Sequence, residues 1–184
     1  MKKIGILVGS LRKDSFSKQI AANVADLFPE GYETEFIEIG TLPFYNQDDD
    51  NEPDTPAEYM AFRNKVKEFD AFLFVTPEYN RSVPAVLSNA LDIGSRPYGE
   101  SVWDGKAAAI ISQSPGNIGG FGANHHLRQK LVFLNMPVLQ QPEAYISNVS
   151  TLLDENGKVS NEETVQFLQA FVDAFIDLIE RFHK

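Results

Sequence analysis

Short apolar runs alternate five times with amphipathic stretches along this chain, and that alternation limits the possible folds more than any other feature. The runs KIGILV (3–8), ETEFIEI (33–39), DAFLFVT (70–76), KAAAIISQ (106–113) and MPVLQQPEAYI (136–146) are β-rich or continuously apolar. Such runs suit strands buried on both faces of a sheet. Between them, Ile20, Val24 and Leu27 recur at helical spacing, as do Val165, Leu168, Val172, Phe175, Ile176 and Ile179 near the C-terminus. Three further helices are predicted over Ala57 to Glu68, Pro84 to Ser95 and Gly122 to Phe133, with Pro84 in the first turn of the second. Alternation of this kind predicts a doubly wound α/β fold, a five-stranded parallel sheet with helices on both faces. No internal repeat or interdomain linker interrupts it, and 184 residues at 43% hydrophobic suffice for one core, so residues 1–184 are expected to form a single domain.

Composition then removes whole classes of function. Without a cysteine the chain has no disulfide, thiolate-bound zinc, iron–sulfur cluster or thiol nucleophile. A net charge of −10 with no cluster of Lys and Arg argues against a nucleic-acid surface. There is no apolar run of about 18 residues to span a bilayer and no leader-like start, so a soluble cytoplasmic protein is expected. The sequon at Asn148, Val149 and Ser150 is therefore read as fortuitous. In the acidic run Asp48, Asp49, Asp50, Glu52 and Asp54, Pro53 stands where a calcium loop needs glycine, and a solvated loop is expected instead. His125 and His126 are adjacent, cannot share one helix face toward a metal, and read as surface or interface residues; no metal site is expected.

In a doubly wound sheet, ligands bind beyond the carboxyl ends of the strands. The loops following the first, third and fourth runs are the most unusual parts of the sequence. The first, GSLRKDSFS, offers backbone N–H groups at a helix start, the hydroxyls of Ser10, Ser15 and Ser17, and the guanidinium of Arg12, a donor set suited to a phosphate. The alternative is that Ser15 or Ser17 only caps the helix while Arg12 points to solvent. Neither a GxxxxGK[ST] phosphate loop nor a GxGxxG dinucleotide turn is present. The second loop, PEYNRSVP, puts an aromatic ring, an amide and an arginine between two prolines; a plain turn is the alternative. In the third, SPGNIGGFGA, four glycines either let the backbone lie close to a flat ligand or make a flexible connection. A phosphate cradle beside two loops that accept a planar ring describes a mononucleotide such as FMN. Tyr98 and Trp103, ahead of the fourth run, pack in the core, at a subunit contact or at the flavin edge.

These segments resemble the NAD(P)H-dependent FMN reductases of flavodoxin-like fold, which include bacterial quinone, chromate and azo-dye reductases. GSLRKDSFSK is similar to that family's phosphate loop, TPEYNRSVPAVLSNALD to its flavin-ring loop and following helix, and GGFGANHHLRQKLVFLNMPVLQQPEAYI to its fourth loop, helix and last strand. The resemblance implies that Ser10, Arg12, Ser15, Phe16 and Ser17 hold the FMN phosphate. It implies that Pro77, Glu78, Tyr79 and Asn80 border the isoalloxazine, mainly through backbone groups, with Ser114, Gly116 and Gly119 alongside. Departures occur at Ser17, where asparagine is common, at Arg81, where an uncharged residue is frequent, and at Ile93 and Gly94, which replace a bulkier pair.

The implied activity is hydride transfer from NAD(P)H by way of flavin N5 to a quinone, free flavin, azo compound or metal oxyanion in a ping-pong scheme, with no catalytic acid, base or nucleophile from the protein. Arg81 is expected either to hold the nicotinamide nucleotide or to be merely solvated. A homodimer or homotetramer is expected. The competing function is a flavodoxin-type electron carrier, which would need a separate reductase; the arginine in the phosphate loop and the PEYN segment favour the enzyme.

Overall fold

The computed structural model describes residues 1–50, 53 and 55–182. Five parallel strands, β1 (Lys2–Val8), β2 (Tyr32–Phe36), β3 (Ala71–Pro77), β4 (Ala107–Gln113) and β5 (Ala144–Ile146), form one sheet in the order β2-β1-β3-β4-β5. Five helices connect and cover them: α1 (Phe16–Ala25), α2 (Ala57–Lys67), α3 (Ala85–Gly94), α4 (Phe121–Phe133) and α5 (Glu162–Phe182). No helix among the described residues is long and apolar enough to cross a membrane.

Alternation of side chains along each strand explains why the central runs are apolar throughout. Ile4, Ile6, Leu73, Val75, Ala109 and Ile111 face α1 and α5, where Ile20, Val24, Phe171 and Phe175 complete one buried layer. Leu7, Phe72, Phe74 and Ile110 face the other way, against Phe62, Leu87, Leu91 and Leu127 of α2, α3 and α4. Two helices on one face and three on the other follow from right-handed crossovers in a sheet whose order reverses at β1.

The predicted elements are all present, with ends that shift by one or two residues in most and shorten markedly in the second and fifth runs. The second run stops being strand at Phe36, although the Ile37 N–H still donates to the Ile6 carbonyl at 2.9 Å. In the fifth run only Ala144–Ile146 is strand, because its two prolines, Pro137 and Pro142, have no N–H to give a ladder. Val138 still forms an isolated bridge with Ala108. Leu27 lies just past the C-cap Asp26, and Pro84 is the N-cap of α3 rather than part of its first turn.

Trp103 is fully buried, donating from its indole N–H to the Leu91 carbonyl at 3.1 Å, which settles its role as core. It also accounts for the departure at position 94: a Cβ on Gly94 would lie 2.5 Å from Trp103 Nε1, so the indole occupies the space a larger residue would need. Tyr98, by contrast, is 92% exposed.

The acidic segment requires a correction. Asp48 is exposed, but the Asp50 carboxylate is 11% exposed, accepts from Arg63 Nη2 at 3.2 Å, and accepts from the Tyr45 hydroxyl at 2.7 Å. Arg63, itself buried, donates from Nε to the Ile93 carbonyl at 3.0 Å. Burial, and then the bond to Asp50, push the Tyr45 phenol up to about 12. Asn89 adds two bonds, from its amide to the Pro43 carbonyl and from the Tyr45 N–H to its carbonyl oxygen. The segment 43–50 is thus strapped to α2 and α3 and is not simply solvated; Glu52 and Asp54 lie outside the described residues.

Candidate active site

The carboxyl ends of β1, β3 and β4 lie side by side, since Val8 pairs with Val75 and Pro77 with Gln113. The three loops singled out in the sequence therefore meet along one edge, at the point where the strand order reverses, which is where ligands of such sheets bind.

On the β1 side, Ser15 is the N-cap of α1, its hydroxyl accepting from the Lys18 N–H at 3.3 Å. Ser17 is fully buried and its Oγ accepts from Gln113 Nε2 at 2.8 Å. In both bonds the serine oxygen is the acceptor, so each hydroxyl proton is left for another acceptor. Ser10 is buried, Phe16 is half-buried, and Leu11, Arg12, Lys13 and Asp14 are exposed. The capping alternative for Ser15 is thus realised together with a donor-rich helix N-terminus.

Gln113 is a candidate site residue that sequence reasoning missed. It is 4% exposed, and its Oε1 is the one buried side-chain polar atom without a hydrogen-bond partner among the described residues. Its only signal in the sequence was a polar residue closing an otherwise apolar strand.

The β3 loop folds back on itself. Tyr79 and Ser82 exchange two backbone hydrogen bonds, at 3.1 and 2.9 Å, around Asn80 and Arg81, whose φ values of 50° and 63° make a left-handed two-residue turn. Non-glycine residues in that region cost energy and persist where their surroundings hold them. Here the holding is visible. Glu78 Oε1 accepts from Arg81 Nη1 at 2.8 Å, Glu78 Oε2 accepts from the Ala123 N–H at 3.2 Å, and a Cβ on Gly122 would lie 2.7 Å from the Arg81 carbonyl oxygen. Pro77 is half-buried and Tyr79 exposed at 47%.

The β4 loop is braced from below. Ser112 donates to the Gly119 carbonyl at 2.8 Å, and fully buried Asn124 donates to Ser112 Oγ and accepts from Arg128 Nε. Gly119 has φ +61° and a Cβ there would lie 2.7 Å from the Tyr145 carbonyl carbon. The loop is therefore a rigid glycine-lined shelf, not a flexible connection. The Ser114 hydroxyl accepts from the Gly116 N–H at 3.0 Å, and Gly116 has no other heavy atom near its missing Cβ. His125 and His126 diverge: His125 bonds to the Tyr145 hydroxyl at 2.9 Å and His126 to Ser82 Oγ at 3.0 Å. Burial, then a bond to Glu143, push the Tyr145 phenol up to about 12.

These residues fit FMN chemically. The α1 N-terminus with Ser10, Arg12, Ser15 and Ser17 supplies donors for a phosphate, and the two locked loops present backbone and glycine toward one edge, where a flat ring can approach. When bound, that cofactor supplies two-electron redox chemistry that no side chain here provides.

Comparison with known proteins agrees. A quinone reductase of Pseudomonas putida is 50% identical over 177 residues, covering 96% of this chain and 94% of the relative. A 2-hydroxy-1,4-benzoquinone reductase of a Burkholderia species is 47% identical over 173 residues, covering 94% and 93%. Among solved structures, FerB, a flavoenzyme NAD(P)H:(acceptor) oxidoreductase from Paracoccus denitrificans, superposes with TM-score 0.92 at 40% identity over 99% of both chains. The sequence profile described as NADPH-dependent FMN reductase matches residues 2–151. The chain is a flavodoxin-like oxidoreductase that uses FMN and NAD(P)H, and it belongs to the NADPH-dependent FMN reductase family.

Proposed function

We propose that this enzyme reduces quinones with electrons from NAD(P)H, using FMN held by the loops after β1, β3 and β4 within one domain spanning residues 1–184. The observation that supports it most is the meeting of those three loops at the switch point, with hydroxyls and Arg12 at one end and two braced loops at the other. Quinones are the first choice of acceptor because relatives at 50% and 47% identity carry quinone reductase names. Free flavin, azo compounds and metal oxyanions are further acceptors under the same scheme, since the protein need only expose the ring. The scheme is ping-pong: the oxidised nicotinamide leaves before the acceptor enters the same face. Reduced nicotinamide is a cytoplasmic substrate, and the enzyme is assigned to that compartment.

Arg81, with its side chain 73% exposed beside the ring-side turn, would hold a phosphate group of the nicotinamide nucleotide. A second copy of the chain would cover the face between α3 and α4. There a groove of about 710 Å³ is lined by Leu91, Phe133 and Leu134, while Phe133 and Val132 stand 88% and 67% exposed. Light scattering should then give at least twice the 20.6 kDa chain mass, and a monomer would remove the assignment.

The functional reading is tested by mixing purified, FMN-loaded protein with NADPH and menadione. Oxidation of the nicotinamide dependent on the quinone is expected. Bound flavin that NADPH and NADH both fail to reduce would leave the proposal without support.

A further inference from the structure

We infer that Glu78 is a positioning residue that presents the Arg81 guanidinium to the phosphate groups of the nicotinamide nucleotide; the inference rests on the reading of Arg81 given above. The pair is asymmetric. The Glu78 side chain is 10% exposed and the Arg81 side chain 73%, so one partner is an anchor inside the protein and the other projects from it. One carboxylate oxygen takes Arg81 Nη1 at 2.8 Å. The other takes the Ala123 N–H at 3.2 Å, in the first turn of α4. The N-cap of that helix is Gly120, which offers no side chain of its own, so the carboxylate arriving from the β3 loop does the capping.

Two consequences follow. The positive end of α4 offsets much of the carboxylate's charge, so the guanidinium is not neutralised for an incoming anion. Among the described residues the guanidinium is held through one of its five donors, which leaves the rest of its planar fork for a phosphate. An unanchored arginine on an exposed turn would have to be immobilised by the ligand itself, at a cost in affinity. The left-handed backbone at Arg81 serves the same end, since the turn brings the residue's carbonyl against Gly122, beside the Glu78 carboxylate that anchors its side chain.

The test is equilibrium binding of NADP⁺ to FMN-loaded protein, which needs no turnover. Arg81→Ala should weaken binding about tenfold, the scale of one charge-assisted pair. Glu78→Gln should weaken it roughly threefold to tenfold, the scale of immobilising one long side chain. In the double variant the loss should equal that of Arg81→Ala alone, because without the arginine there is nothing to present. Should Glu78→Gln fail to load FMN, Glu78→Asp, which keeps the charge but shortens the reach, carries the same expectation.

If the carboxylate instead acts mainly by repelling the anion, Glu78→Gln will tighten NADP⁺ binding, and the inference is overturned. It is equally overturned if the two losses multiply, or if Glu78→Gln lowers only thermal stability or FMN affinity and leaves NADP⁺ binding unchanged, as a purely structural strut would. An Arg81→Ala variant that binds NADP⁺ like the native protein removes the assignment of Arg81 and this inference together. A loss confined to Arg81→Ala removes this inference alone.

Discussion

The two ends of the site are built on opposite plans. Around β1 the Arg12 side chain lies in water while Ser10, Ser15 and Ser17 are buried, and the side-chain ties seen there among the described residues are a helix cap and one buried bond to Gln113. Around β3 and β4 the loops are fastened before any ligand arrives, by Glu78 to α4, by the paired Tyr79 and Ser82, and by Ser112 and Asn124 beneath Gly119. The difference matches the chemistry of a mononucleotide. A phosphate is recognised by charge and by donors that can adjust, whereas a rigid planar ring gains from a surface shaped in advance. The exposed charge at the phosphate end, Arg12, should therefore be dispensable for folding, and the braced loops of the ring end should not.

The largest effect is expected from Gly119→Val on the ring side. Its Cβ would fall 2.7 Å from the Tyr145 backbone, and a β-branched residue is strained at φ +61°. A loss of about 4 kcal/mol or more in urea unfolding of the apo-protein is expected, with flavin binding lost as well. Preserved stability would mean that the shelf is softer than the comparison requires.

A smaller loss should follow Ser112→Ala, which removes the hydroxyl bonded to the Gly119 carbonyl and takes one acceptor from Asn124. About 1–3 kcal/mol of stability is the expected cost of leaving such buried groups unpaired. FMN and riboflavin should lose affinity by similar factors, since the shelf meets the ring they share; a loss confined to FMN would place Ser112 in the phosphate end. Smallest of all should be the change in stability on Arg12→Ala, within about 0.5 kcal/mol, because the side chain is exposed.

Much of this plan was legible in the sequence. Periodicity located the strands and helices because burial on both faces leaves continuous apolar runs, and the three odd loops stood where a doubly wound sheet exposes its ligand edge. What stayed hidden were contacts between residues remote in sequence. Nothing local to Glu78 shows that its carboxylate caps a helix at Ala123, nor does Gln113 announce that it reaches Ser17. The acidic run misled for the same reason, since a carboxylate such as Asp50 looks solvated until its buried arginine partner, Arg63, is brought beside it. Trp103 and Gly94 form another such pair, each explained only by the other.

The central claim, that one edge of the sheet binds a phosphate at β1 and a flavin ring at β3 and β4, is tested most directly by titrating the apo-protein with FMN and with riboflavin, in native form and as Arg12→Ala. The account predicts that the variant loses roughly 1.5–3 kcal/mol of FMN affinity, about tenfold to a hundredfold, while riboflavin, which lacks the phosphate, binds the two proteins alike. Unchanged FMN affinity, or an equal loss for both ligands, would contradict it.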